Sequence, residues 1–364
     1  MLDRQILMRI GFAAIVGASL MGGNALAQDA KPKPGEQLNQ VRGDEITPAQ
    51  EVAVAKGLAW LAQAQGRDGS YGSGNGSTKH AGITALAGLA FMQAGNLPGR
   101  GKYGENVQKC LDFILASCQE SGLISSDQSH GPMYGHGFAT LFLGEIYGMT
   151  GDENVKEKLQ RAVRLIQKTQ NREGGWRYQP VPYDADISVT ITQVMALRAA
   201  RDAGIKVEKD VIDNAIKYVR ACRNPDGGYS YMANSGGGGG SGFARTAAGV
   251  ATLFYAGIYE GEEINSGLNY LKRFTPGKGS GGGAEIEGHY YYGNYYAVQA
   301  MFLAGGDYWA TFYPAIRDQL IARQARNGGW SGEAGEDYGT AMALIILQMP
   351  NRYLPVYTGK GPGS

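Results

Sequence analysis

The chain has only three cysteines and four histidines among its 364 residues, no block of lysine or arginine, and a formal charge of +1. A balanced charge without a basic stripe makes nucleic acid and acidic membrane surfaces weak candidates as partners, and no nucleic acid is expected. After the first twenty residues no apolar run reaches the roughly 18 residues that a membrane helix needs. Cys110 and Cys118 share one predicted helix, where eight residues at about 1.5 Å rise separate their Cα atoms by roughly 12 Å, beyond disulfide reach. No C-x-x-C zinc spacing is present, so all three cysteines read as free, small, buried residues, and neither a metal nor a cofactor is expected.

The first residues are the exception to this sparseness. Arg4 and Arg9 precede an apolar run from about Ile10 to Leu20 and the small-residue site Ala25-Leu26-Ala27. That order predicts a secretory signal peptide, residues 1–27, and an exported protein, periplasmic or extracellular. Residues 28–46 and 351–364 read as flexible ends around a body spanning 47–350.

Within that body one unit recurs. The stretch KGLAWLAQAQGRDGSYG (56–72) contains Gln65, then Gly69 four residues on, then Tyr71; RAVRLIQKTQNREGGWRY repeats it with Gln170, Gly174 and Trp176. Equivalent positions at 118, 223, 275 and 324 follow at intervals of 49 to 53 residues, giving six copies. Each copy holds an amphipathic helix before the glycine turn, with Leu159, Val163 and Ile166 on one face, and a helix apolar almost all round after it. One-sided helices face solvent and all-round apolar helices are enclosed, so six of each predict an all-α, α6/α6 toroid. An open solenoid would need polar terminal caps, whereas the first and last units here carry the best-formed motifs.

The Gln, Gly-x-aromatic unit resembles the QW repeat of squalene and oxidosqualene cyclases, and the span from Thr47 to Pro350 is similar to the prenyltransferase/squalene oxidase repeat toroid. The resemblance implies that Gln65, Tyr71, Gln170, Trp176, Gln324 and Trp330 are structural staples, with the amide satisfying backbone groups at a helix end and the ring covering it. The zinc site of protein prenyltransferases is not implied, because no cysteine stands at an inner-helix start; the thioester sequence CGEQ of complement-like toroids is absent. The glycine runs at 235–242 and 277–283 do not fit a phosphate loop and read as flexible flaps.

A ring of parallel inner helices opens all six N-termini on one end. Aligned on Thr84, Thr140, Thr190, Thr246, Ala297 and Thr340, the units place His80, His136, Asp186, Gly242, Gly293 and Glu336 four residues earlier. Tyr134, Asp184, Arg245, His289, Tyr291, Tyr292, Tyr295 and Asp337 stand near them. This gathering of titratable and aromatic side chains makes the mouth the candidate site, with His80, Tyr134, His136, Arg245, His289, Tyr291, Tyr292, Tyr295, Glu336 and Asp337 as binding residues.

The segment Asp184-Ala185-Asp186-Ile187-Ser188 is similar to the D-x-D-D-T motif of class II terpene cyclases. The resemblance implies Asp186 as the general acid, Asp184 as its flanking carboxylate and Ser188 in the threonine position; Ile187 departs from the pattern where a third aspartate belongs. Asp186 also reads as a helix N-cap, and the two roles are compatible. The expected function is binding, and cyclisation or protonation, of an isoprenoid-like apolar ligand inside the ring. Two alternatives stand beside it: a secreted carbohydrate-active hydrolase or lyase pairing Asp186 with Glu336, Asp337 or Glu287, and a non-catalytic ligand- or peptide-binding scaffold.

Overall fold

The glycine turns dictate where each outer helix stops. Gly69 holds φ +88°, and a Cβ there would fall 2.2 Å from the carbonyl oxygen of Lys109. Only glycine meets both demands, and Gly122, Gly174, Gly227 and Gly328 repeat the positive φ. The computed structural model describes residues 45–72, 79–126, 131–233, 239–278 and 288–358. The predicted signal peptide, Glu285, Glu287, half of the first glycine run and most of the second lie outside the described residues.

Among the described residues there are twelve α-helices and no strands, only isolated bridges. The outer set is α1 (Pro48–Ala64), α3 (Gly104–Ala116), α5 (Glu153–Thr169), α7 (Lys209–Ala221), α9 (Glu262–Lys272) and α11 (Gly306–Arg323). The inner set is α2 (Ala81–Gln93), α4 (Met133–Thr150), α6 (Ile187–Asp202), α8 (Phe243–Tyr255), α10 (Tyr290–Ala304) and α12 (Glu336–Leu347). Every consecutive inner pair packs together, and α12 packs on α2, so the ring is closed as the repeat pattern predicts.

The last unit also reaches the first through polar bonds. Gln324 Nε2 donates to Ala53 O in α1 at 2.8 Å, and Gln50 Nε2 donates to Leu347 O at 2.6 Å. The Gln324 bond is the repeat's own staple, whereas the Gln50 bond is particular to this junction. Gln65 Nε2 donates to Asn106 O at 3.0 Å and Gln170 Nε2 to Val211 O at 2.8 Å, each reaching the next outer helix. Tyr71, Trp176 and Trp330 donate from the side chain to Leu61 O, Ile166 O and Leu320 O at 2.8, 2.7 and 2.7 Å. Thr84, Thr190, Thr246 and Thr340 each accept the backbone N–H of the turn aromatic through Oγ1. All three cysteines are free.

Both ends of the body depart from expectation. Glu45 is buried, accepting from Trp309 Nε1 at 2.8 Å and pairing with Arg352 at 3.0 Å, so the segment before Thr47 is anchored where it enters the ring. Beyond Pro350, Leu354, Val356 and Tyr357 are buried rather than trailing in solvent, because their apolar side chains fill the end of the ring opposite the mouth. No helix among the described residues is long and apolar enough to cross a membrane.

Candidate functional site

The six inner N-termini surround a cavity of about 860 Å³, within the range of small-molecule sites. Its wall is largely aromatic: Tyr134 and Phe138 from α4, Tyr178 and Tyr231 from turns, Phe243 from α8 and Tyr292 from α10. His80, Arg245, His289, Glu333 and Tyr338 rim it. Of the residues singled out from sequence, His80, Tyr134, Arg245, His289 and Tyr292 face the cavity.

His80 is the N-cap of α2, and its Nδ1 accepts from Gly82 N at 3.1 Å and Ile83 N at 3.3 Å. A ring accepting at Nδ1 carries its neutral-form proton on Nε2. Gly82 lets α2 and α4 meet here, since a Cβ on it would come within 2.8 Å of Gly135 Cα. Tyr292 donates its hydroxyl to Ser188 O at 2.8 Å and meets Tyr134 edge-on at 6.3 Å, joining α10 to α6 across the wall.

Asp186 takes the capping role read from its sequence. It is the N-cap of α6, with Oδ1 accepting from Ser188 N at 2.9 Å and Val189 N at 2.8 Å. Its other oxygen, Oδ2, is fully buried and has no hydrogen-bond partner of sound geometry. Arg177 Nε lies 3.8 Å from Oδ2. Burial pushes the carboxyl up to about 6; the Val189 and Ser188 amides, the Tyr231 hydroxyl and Arg177 oppose it without cancelling it. The carboxyl does not itself face the cavity. Ser188 and Tyr231 stand between, and Tyr231 is pinned to the start of α6 by its carbonyl, which accepts from Ile187 N at 2.9 Å.

Asp184 has a different task. It is paired with Arg177, whose guanidinium also lies over the rings of Tyr178 and Tyr231 at 5.2 and 6.0 Å. Arg177 therefore sits between the two aspartates, with Asp184 on the solvent side.

Several expected wall residues lie elsewhere. His136 is one turn inside α4, fully buried, and its Nδ1 accepts from Ile124 N at 3.1 Å. Helix α4 starts at Met133 rather than at His136, which moves the imidazole off the mouth; burial pulls it down to about 4. In unit five the N-cap is His289, not Gly293, so α10 also starts a turn early. Tyr291 and Tyr295 are buried in ring-to-ring packing, against Tyr290 and Tyr338 and against Phe138 and Tyr296 respectively. Asp337 Oδ2 accepts from Gly72 N at 2.9 Å, tying the last unit to the first, while Glu336 is exposed beside it. Among the described residues no three His, Cys, Asp or Glu side chains gather closely enough to hold a metal ion, so His80, His136 and Asp186 form no such set.

Arg177, Tyr178, Tyr231 and Glu333 were not singled out from sequence. They lie on turns, where no helical period marks them. The one available signal was their closeness in sequence to the glycine turns that feed α6, α8 and α12.

Residues 140–288 match the squalene-hopene cyclase C-terminal domain, and residues 6–151 match the prenyltransferase alpha-alpha toroid domain. No curated protein matches the chain. Among solved structures, an inactive variant of the GH76A alpha-1,6-mannanase of Salegentibacter sp. HEL1_6 in complex with alpha-1,6-mannotriose is similar at TM-score 0.63. It is 10% identical, over 84% of this chain and 99% of that one. A variant of the type II terpene cyclase MstE of Scytonema in complex with its substrate, geranylgeranyl dihydroxybenzoate, is similar at TM-score 0.56 and 14% identity, over 84% of this chain and 98% of that one. A protein from Actinoplanes gives TM-score 0.56 at 14% identity, over 84% and 99%. At such identities the likeness is one of fold.

Proposed function

Because the chain is a squalene cyclase-like toroid repeat protein, we propose that it binds an isoprenoid-like apolar ligand inside the ring and that Asp186 is the acid serving that site. The observation that carries this reading is the aromatic wall of the cavity with a buried carboxyl directly behind it. Rings lining a cavity remove apolar chains from water and stabilise positive charge by about 0.5 to 2 kcal/mol each. A carboxyl raised to about 6 is partly protonated near neutral pH. Its route to the cavity runs past the Tyr231 hydroxyl. The protein is exported on this reading, since the first 27 residues have the order of a signal peptide.

The carbohydrate reading draws on the mannanase likeness, a likeness of fold. Two-carboxylate cleavage needs both acids beside one bond, roughly 5 to 9.5 Å apart. Among the described residues Glu333 is the one carboxylate facing the cavity; Asp186 is behind the wall, and Asp337 is held by the Gly72 amide. The aromatic wall therefore favours the apolar ligand.

The test is to purify the protein from its own host under gentle conditions, release whatever it carries and identify it by mass spectrometry. An isoprenoid or similar hydrocarbon chain is expected. A retained oligosaccharide would overturn the reading.

A further inference from the structure

Below the cavity the ring interior is filled by the chain's own C-terminal segment. Phe138, in the cavity wall, meets Tyr295 edge-on with centroids 5.9 Å apart, and Tyr295 meets Tyr296 at 4.8 Å. The Tyr295 hydroxyl lies 3.2 Å from the Tyr357 hydroxyl. Tyr357 thus stands one ring beneath the residues that close the cavity.

The segment enters from the C-terminal ends of the inner helices. The short 3-10 turn Met349–Asn351 packs on α10 and α12, and the turn Pro355–Thr358 packs on α6 and α10. Asn351 donates to Gln93 O, at the last residue of α2, at 2.8 Å. Val356 N donates to the buried carboxyl of Glu145 in α4 at 3.3 Å. Leu354, Val356 and Tyr357 are 0%, 1% and 1% exposed, as deep as the core of the repeats.

A closed ring of six helices leaves an axial space, and among the described residues a segment outside the repeats enters it from the end opposite the mouth. We propose that Pro355–Thr358 is the floor stop of the cavity, and that Tyr357 limits how far an apolar chain can extend into the ring. The inference rests on the reading of the cavity as a site for such a chain. Tyr295 is held by Phe138 and Tyr296 on the cavity side and by Tyr357 below. With the Tyr357 ring removed, Tyr295 can turn downward and the cavity deepens along the axis. Each further buried methylene then tightens binding about fourfold.

The experiment compares binding of a series of prenyl alcohols with 10, 15, 20 and 30 carbons to the mature protein, by intrinsic fluorescence or native mass spectrometry. Tyr357→Ala is compared with the parent and with Tyr357→Phe, which keeps the ring. The expected result is a length optimum in the parent and in Tyr357→Phe, and an optimum one step longer in Tyr357→Ala, with at least a tenfold gain for that longer alcohol. If Tyr357→Ala loses its helical circular dichroism, Tyr357→Leu replaces it, with the same shift expected. An unchanged length profile in a folded, binding variant overturns the floor-stop role alone. Failure of the parent to bind any of the alcohols overturns the reading of the cavity, and the floor stop with it.

Discussion

Arg177 Nε stands 3.8 Å from Asp186 Oδ2, the carboxylate oxygen not used in capping α6, while the same guanidinium is paired with Asp184 on its outer side. Asp184 thus holds the arginine in position, and the arginine tempers the acid. Asp186 is offset upward by burial and held in check by a cation at the edge of hydrogen-bond reach. Removing the cation takes away one of the groups that oppose the desolvation. Arg177→Met is expected to raise the Asp186 carboxyl above its value of about 6, measurable by difference infrared titration against Asp186→Asn. No change in the titration would mean that Arg177 serves packing alone.

Two substitutions at Asp186 separate capping from acid chemistry. Asparagine can still accept the Ser188 and Val189 amides, so Asp186→Asn is expected to stay within about 1 kcal/mol of the parent in denaturant unfolding. Alanine cannot, and Asp186→Ala is expected to cost about 1 to 2 kcal/mol. Equal losses in the two variants would contradict the capping role of Oδ1.

The closed ring predicts that its seam is energetically ordinary. Gln324 donates to Ala53 O and Gly328 O at 2.8 Å each, just as Gln170 donates to Val211 O and Gly174 O. Gln324→Ala and Gln170→Ala should each cost about 1 to 3 kcal/mol, the usual penalty of stranding buried carbonyls. A much smaller loss for Gln324→Ala would indicate a ring that opens between the last unit and the first.

Stability should fall with rising pH between about 6.5 and 8. Burial raises Glu145 from 4.5 to about 8, with the Val356 amide opposing and Asp202 assisting. The folded state then holds a proton that the unfolded state has released, so the contribution is complete below 4.5 and is lost as pH climbs through 8. Asp186 acts in the same direction, but its window ends near 6. His136 acts oppositely: its stabilising effect is complete above 6.5 and is lost as pH falls toward 4. Above 6.5 the slope therefore belongs to Glu145, and Glu145→Gln should flatten it in thermal melts taken between pH 6.5 and 8. A slope that survives the substitution would assign it to another group.

The repeats were legible because the staple is chemical and local: Gln, Gly and aromatic at fixed offsets make the same bonds in units one, three and six. The helix starts were legible only where the turn aromatic and the inner-helix threonine are both present. Thr84, Thr190 and Thr246 accept from that turn, and His80, Asp186 and Gly242 are indeed the N-caps four residues before them. In unit two Leu123 replaces the aromatic and Thr140 Oγ1 has no partner, so the threonine no longer marks the start and α4 begins early. In unit five Ala297 has no hydroxyl, and α10 begins early as well. The cavity wall contributed by Tyr178 and Tyr231, and the floor contributed by Tyr357, come from turns and from chain outside the repeats. Neither follows the period from which the rest was read.

On the proposed function an apolar chain occupies the ring interior at the N-terminal mouth. Ala244, in the first turn of α8, faces that space. The most direct measurement is equilibrium binding of geranylgeraniol and of α-1,6-mannotriose to the parent and to Ala244→Trp, whose indole would fill the cavity. One geranylgeraniol per chain, weakened at least about tenfold by the tryptophan while the melting temperature holds, is the predicted result. Binding of mannotriose alone, or geranylgeraniol binding untouched by Ala244→Trp, would contradict it.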